Sequence, residues 1–392
     1  MSNLVRLFGA AAILAASAGQ AWAAKPPPMM PPVPFEAGPE EFVTRLTTDV
    51  PQNRVLNQME IGARAFWRAD YPQAKPALDD AMMRIDAVFA DSENAAKARK
   101  LWYDEGSKDF KGEPYERAMA FLYRGLIYLH DSDYENARAS FRRGLMQDAF
   151  AEEDQNRSDF AVLLYLDAWA SHLNGDKDLR DETLVQLKKL RPSFGGFGEK
   201  DDTLVWLETG QGPRKLGDGA SHSFFVYRRG KPILENQAQV LMGAAALQAY
   251  PMEDVFYQAS TRGGREIDKI LQGKAQFKAV TGGVGSFLAD TTVALQDSNY
   301  AFSAGGQYGD AVAAVGVLSG VFLIVSSSAK PQADVRTWSS LPDTIHVLTL
   351  ASGGKPQDLQ ARFLKAGLPV ADKPIRCEID ENHKQLCLVR AH

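Results

Sequence analysis

Two stretches of the chain carry the same residue classes at the same spacing. The first reads Ile61-Gly62-Ala63, Asp70-Tyr71, Ala74, Leu78 and Ala81. The second reads Arg124-Gly125, Asp133-Tyr134, Ala137, Phe141 and Gly144, and each residue sits at the matching offset. Small residues at Gly62 and Ala74, and at Gly125 and Ala137, suit two helices that touch backbone to backbone. Tyr134 and Phe141 are bulky enough to fill the space toward a neighbour. The Asp-Tyr pair in each copy marks the turn. An internal repeat of this kind builds a stack in which each unit packs on the next.

A third, degenerate copy follows. Phe160–Leu173 reads as its first helix, Asn174-Gly175-Asp176 as the turn and Leu179–Leu190 as the second helix. Ala168 takes the small position, Arg180 replaces the second small residue, and Pro192 follows. The pattern resembles the tetratricopeptide repeat. The insert Asp91–Gly112 separates the first two copies, which lack a closing proline, so a short stack is expected rather than a long superhelix. In such a stack the first helix of each copy lines the inner groove. Here that face would carry Met59, Phe66 and Trp67, then Met119, Leu122, Leu126 and His130. Burying one large apolar side chain is worth about 1.5–3 kcal/mol, so this groove should not stand empty. Either the chain's own flanking helix or an apolar helix or peptide of a partner should fill it.

The N-terminus points to export. Arg6 precedes the apolar run Leu7–Ala16, and Ala21-Trp22-Ala23 has the small-x-small form that signal peptidase cuts. Residues 1–23 are expected as a cleaved signal peptide. No cysteine lies near the cut, so no lipid anchor is expected. Residues 24–40, with prolines at 26–28, 31, 32, 34 and 39, read as a disordered extended leader. Among 392 residues there are two cysteines, Cys377 and Cys387, flanking a turn near Asp380–Lys384. In an oxidising compartment they should pair across a hairpin.

Helical periodicity over 41–206 is followed by a Gly/Pro-rich linker at 207–220 and a changed pattern over 221–392. Strands are expected at Ser223–Arg228, Val255–Ser260, Lys274–Val280, Ile345–Leu350 and Leu359–Leu364, with helices at Gln237–Ala249, Ser286–Gln296 and Tyr308–Ser327. The Tyr308–Ser327 helix is read as buried core, because its apolar run is too short and too weakly hydrophobic for a membrane span. The predicted fold is multidomain: an all-α helical-hairpin stack, then an α+β domain with antiparallel strands.

Several segments also resemble a family of bacterial envelope proteins that carry tetratricopeptide repeats. They are Gly112-Glu-Pro-Tyr-Glu116, Tyr134-Glu-Asn-Ala-Arg138, Gly264-Arg265, Leu271–Lys278 and Ala333–Pro342. That resemblance implies a non-enzymatic role in assembling outer-membrane or cell-wall complexes, and no catalytic residues.

Reactive constellations are sparse. Gly282-Gly-Val-Gly-Ser286 lacks the Lys-Ser/Thr and the βαβ frame of a phosphate loop. No Gly-x-Ser-x-Gly elbow occurs, and the six histidines are scattered. A net charge of −5 with interspersed signs gives no basic stripe for nucleic acid. The sequence therefore predicts a periplasmic, non-catalytic scaffold that binds envelope proteins, with neither metal nor cofactor. The alternative is a cell-wall glycan- or peptide-acting enzyme with its site in the C-terminal half.

Overall fold

Three helical hairpins, closed by one recurring turn, set the frame of the computed structural model. The structure describes residues 31–90, 109–149, 159–218, 224–230, 235–262, 334–355 and 357–392. The expected signal peptide, the elements at Lys274–Val280, Ser286–Gln296 and Tyr308–Ser327, and most of the 91–112 insert lie outside the described residues. A short helix α1 (Glu40–Thr48) precedes α2 (Arg54–Trp67) and α3 (Tyr71–Ala90). Next come α4 (Pro114–His130) with α5 (Tyr134–Ala149), and α6 (Ala161–Asn174) with α7 (Lys177–Leu190).

The turns repeat atom for atom. Ala69, Ser132 and Gly175 are left-handed, with φ of 58°, 60° and 84°. The amides of Asp70, Asp133 and Asp176 then donate to the carbonyls of Ala65, Tyr128 and Ser171, each at 2.9 Å. This is the helix-closing geometry of a left-handed C-terminal residue. Asp70 and Asp133 also cap the following helix, accepting the amides of Gln73 and Asn136 through Oδ1 at 3.2 Å. The small positions do what the spacing predicts. A Cβ on Gly62 would come within 2.5 Å of Leu78, and one on Gly125 within 2.2 Å of the Phe141 ring.

The strands form three sheets. The central one has the order β10-β11-β1-β7-β6, built from β10 (Arg376–Ile379), β11 (Gln385–Arg390), β1 (Thr203–Thr209), β7 (Thr344–Leu350) and β6 (Tyr250–Asp254). Its β11 runs parallel to β1, which departs from the all-antiparallel expectation. A second sheet, β5-β4-β8-β9, is antiparallel and uses β4 (Gln237–Met242), β5 (Ala245–Gln248), β8 (Gln360–Lys365) and β9 (Leu368–Pro374). The hairpin β2 (Arg214–Asp218) with β3 (Phe224–Arg228) completes the set.

Alternation along the central sheet places it between two layers. Leu204, Trp206, Ile345, Val347, Leu386 and Leu388 join the core shared with the helices. Val205, Leu207, Cys387 and Val389 face Ala238, Val240, Ala361 and Phe363 of the second sheet. Pro31–His392 is one compact unit. Among the described residues, no helix is long and apolar enough to cross a membrane.

Several expectations need correction. Residues 203–209 and 214–218, read as helix end and linker, are strands. Every residue of β1 is buried because it is covered on both faces, so its apolar run does not alternate. Gln237–Ala249 is not a helix but a β-hairpin, turned at Gly243 with φ of 59°. Val255–Ser260 is not a strand but lies in helix α8 (Val255–Arg262), capped by Asp254 Oδ1 accepting the Tyr257 amide at 2.9 Å. The leader is ordered over residues 31–40. Arg64 Nη1 donates to the carbonyls of Pro34, Phe35 and Ala37 at 3.1, 2.9 and 2.6 Å.

Candidate functional site

The inner face of the first two hairpins is the candidate site, and the chain itself occupies it. Met59, Phe66, Met119, Leu122 and Leu126 are fully buried, in one core cluster with Trp206, Trp338, Leu341, Leu386 and Leu388. Among the described residues the expected flanking helix does not cover this face, and no open groove is left on it. The apolar face is covered by the central sheet and by the irregular segment 336–341. This is the physical outcome the sequence required, with a different occupant: apolar area of that size leaves water when any surface is within reach.

Two buried carboxylates hold the 336–341 segment by its backbone. Glu60 on α2 accepts the Ser339 amide and hydroxyl through Oε1, both at 2.6 Å, while Arg64 Nε donates to Oε2 at 3.0 Å. Glu116 on α4 accepts the Trp338 amide at 2.7 Å and the Thr337 hydroxyl at 3.3 Å. Its other oxygen takes the Glu113 amide at 2.7 Å, closing a capping box at the start of α4. Burial pushes the Glu116 carboxyl up, and the buried Lys215 ammonium is the strongest opposing influence. Burial alone would pull Lys215 down, but Glu113 and Glu116 outweigh it and hold the amine charged.

The Trp338 indole is the apolar anchor. It is fully buried, 5.8 Å from the Tyr123 ring, with Nε1 donating to Ser340 Oγ at 2.8 Å. At one end of the segment, Arg336 donates to Asn53 Oδ1 at 2.9 Å and lies 5.5 Å above the Phe110 ring. At the other, Arg390 Nη2 donates to the Ser340 carbonyl at 2.8 Å. Arg390 also pairs with Glu208, whose second oxygen accepts Tyr123 Oη at 2.9 Å and Trp206 Nε1 at 3.1 Å. An irregular backbone segment is thus gripped by two carboxylates and one aromatic anchor.

A second grip lies at the hairpin turns. Tyr71 and Tyr134, the matched turn residues of the repeats, donate to Glu378 at 2.7 Å and Asp380 at 2.6 Å. Both acceptors belong to the C-terminal hairpin, where Cys377 faces Cys387 in register and the two form a disulfide. Trp67 and His130 also occupy matched positions, and both meet this hairpin or its strands. The Trp67 carbonyl accepts Arg376 Nη1 at 3.1 Å, and its ring lies 4.7 Å below Arg390. His130 Nε2 meets Glu378 at 3.0 Å and Nδ1 meets Asp131 at 3.0 Å. The hydrogen bond with Glu378 is the main cause that raises the His130 pKa. The crevice between Leu129, His130, Trp169, Glu378 and Lys384 has a volume of about 10 Å³, the space of one water.

Of the seven predicted groove residues, five are core, and Trp67 and His130 reach the C-terminal hairpin. Sequence reasoning missed Glu60, Glu116, Glu208 and Trp338. The first two carried a signal: a glutamate within an apolar helix face needs a buried partner. Among the described residues, no group of three or more His, Cys, Asp or Glu is placed to hold a metal. Compared with family models, curated proteins and solved structures, the chain matches none.

Proposed function

We propose that this chain is an exported, non-catalytic adaptor that holds a partner protein in the bacterial cell envelope, with hairpins of the tetratricopeptide type. The cleavable N-terminal signal read from the sequence and the Cys377–Cys387 disulfide fit an oxidising compartment. The inner face of the hairpins is committed to the chain's own segment, so the partner meets an outward face.

The observation that carries this reading is a matched pair of exposed apolar side chains. Met83 on α3 and Met146 on α5 stand at equivalent repeat positions and are 61% and 56% exposed. Methionine is an adaptable side chain for a protein surface to grip. Each is flanked by charged neighbours, with Arg143 paired to Asp86 across the two helices.

The test is gentle crosslinking of the full chain in its native envelope, followed by recovery of bound proteins. The wild type should recover a defined partner, and the Met83→Glu, Met146→Glu double variant should lose it while keeping its melting behaviour. Recovery of no specific partner by the wild type would overturn the adaptor reading. Unchanged recovery by the double variant would remove this face from it.

A further inference from the structure

The hydrogen-bond donors around Glu378 and Asp131 carry an inference separate from partner binding. His130 is the last residue of α4 and stands between two carboxylates. Its Nδ1 is 3.0 Å from Asp131 Oδ1 and its Nε2 is 3.0 Å from Glu378 Oε2. A carboxylate only accepts. A neutral imidazole has one N–H, so it satisfies one of these contacts and turns a lone pair toward the other. Only the imidazolium satisfies both.

The surroundings fix the imidazole in place. From α3, the Tyr71 ring stacks on it at 4.1 Å, and Lys75 pairs with Asp131 at 2.7 Å. From β10, Arg376 Nε holds Glu378 Oε1 at 2.9 Å. Asp380 and Lys384 from the hairpin turn line the same crevice. The Asp380 Oδ1 atom accepts the amides of Asn382 and Lys384 at 2.9 and 2.8 Å, so the tip hangs on a residue that Tyr134 holds. The His130 side chain is 28% exposed, and protons reach it.

We infer that His130 is a proton-operated latch that fastens the tip of the disulfide hairpin to the helical repeats. With the proton on, one cation bridges the end of α4 and β10. With it off, Glu378 loses its cationic partner whichever nitrogen keeps the hydrogen, so the contact that crosses to β10 weakens, and the tip at 380–384 opens more often while β11 stays in the central sheet. A group whose folded pKa is raised contributes most below the ordinary imidazole value, near 6.5, and its contribution is lost as pH rises through the raised value. The tip is therefore tight in acid and looser in base. In an exported protein, that pH is the pH outside the cytoplasm.

The test is amide hydrogen exchange of the full chain at about pH 5.5 and about pH 8.5, corrected for intrinsic rates, with backbone amides of β1 as the internal reference. In the wild type, protection of Asn382 and Lys384 should drop roughly three- to fivefold at the higher pH, the size of one partly exposed ion pair. In His130→Gln the protection should be the same at both values and close to the wild type's basic value. A direct imidazole titration of the wild type by NMR should place its midpoint above 6.5. It should fall toward that value in Glu378→Gln, which keeps the proposal testable if His130→Gln fails to fold. Wild-type protection that does not change with pH would overturn the latch. So would a pH drop that persists in His130→Gln, or a midpoint at or below the ordinary value.

Discussion

Glu208 offers the sharpest test of how the helices and the central sheet are joined. It is completely buried on β1, and all of its polar contacts are made within the protein. Oε2 takes Arg390 Nε at 3.0 Å and Nη2 at 2.5 Å, while Oε1 takes the Tyr123 hydroxyl and the Trp206 indole. Glu208→Gln keeps the shape and removes the charge. Arg390, with 11% of its side chain exposed, then loses its buried counter-ion, and an amide NH₂ faces donors. Breaking one side of a buried pair costs about 3–5 kcal/mol. At the lower end of the usual conversion for large domains, about 2 °C per kcal/mol, the melting temperature should fall by roughly 6–10 °C. The assay is chemical and thermal unfolding followed by circular dichroism and tryptophan fluorescence together. Arg390→Met in the same background retains packing against the Phe35 and Trp67 rings and removes the stranded charge. It should recover much of the loss, because most of the cost of breaking one side of a buried pair is the uncompensated charge left behind, and methionine carries none. A loss under about 1 kcal/mol would refute the reasoning. So would costs that simply add in the double variant, or helices that melt in a transition separate from the sheet.

Three further outcomes follow from the packing and the electrostatics. Gly125→Ala should cost about 1–3 kcal/mol in denaturant titrations, because the new Cβ meets the Phe141 ring, and Phe141→Leu should relieve it. Ala69→Gly should raise stability by about 0.5–1 kcal/mol while Gly175→Ala lowers it, since both sites are left-handed turns of the same kind. His346 is buried between the two sheets with Nε2 3.0 Å from Thr209 Oγ1, and burial pushes its pKa down to about 3. Its folded value lies below the unfolded one, so its contribution is full above about 6.5 and is lost as pH falls toward 3. By pH 5 this group should remove about 2 kcal/mol, which a comparison with His346→Gln across that range would measure.

What the sequence disclosed is unevenly distributed, for physical reasons. The hairpins were legible because their contacts are local. Gly62 meets Leu78 and Gly125 meets Phe141 within one repeat, so the spacing itself records the contact. The cysteine pair was legible for the same reason: it closes a short hairpin across 10 residues. The errors lie where distant parts of the chain decide. Gln237–Ala249 is rich in Ala, Leu, Met and Gln, all good helix formers, yet pairing with β8 makes it a hairpin. Val255–Ser260 looks strand-forming, but Asp254 caps it as a helix. The groove's occupant was hidden because Trp338 and Ser339 reach Glu116 and Glu60 across separations of 222 and 279 residues. No local pattern encodes contacts of that range.

The capture of the 336–341 segment by the inner face of the repeats is tested most directly at two amides. Trp338 and Ser339 donate to buried carboxylates, so their hydrogen exchange should be slow and should require an opening comparable to that of the β1 backbone. Exchange of both at the rate of a free loop, with β1 still protected, would mean that Glu60 and Glu116 do not hold this segment.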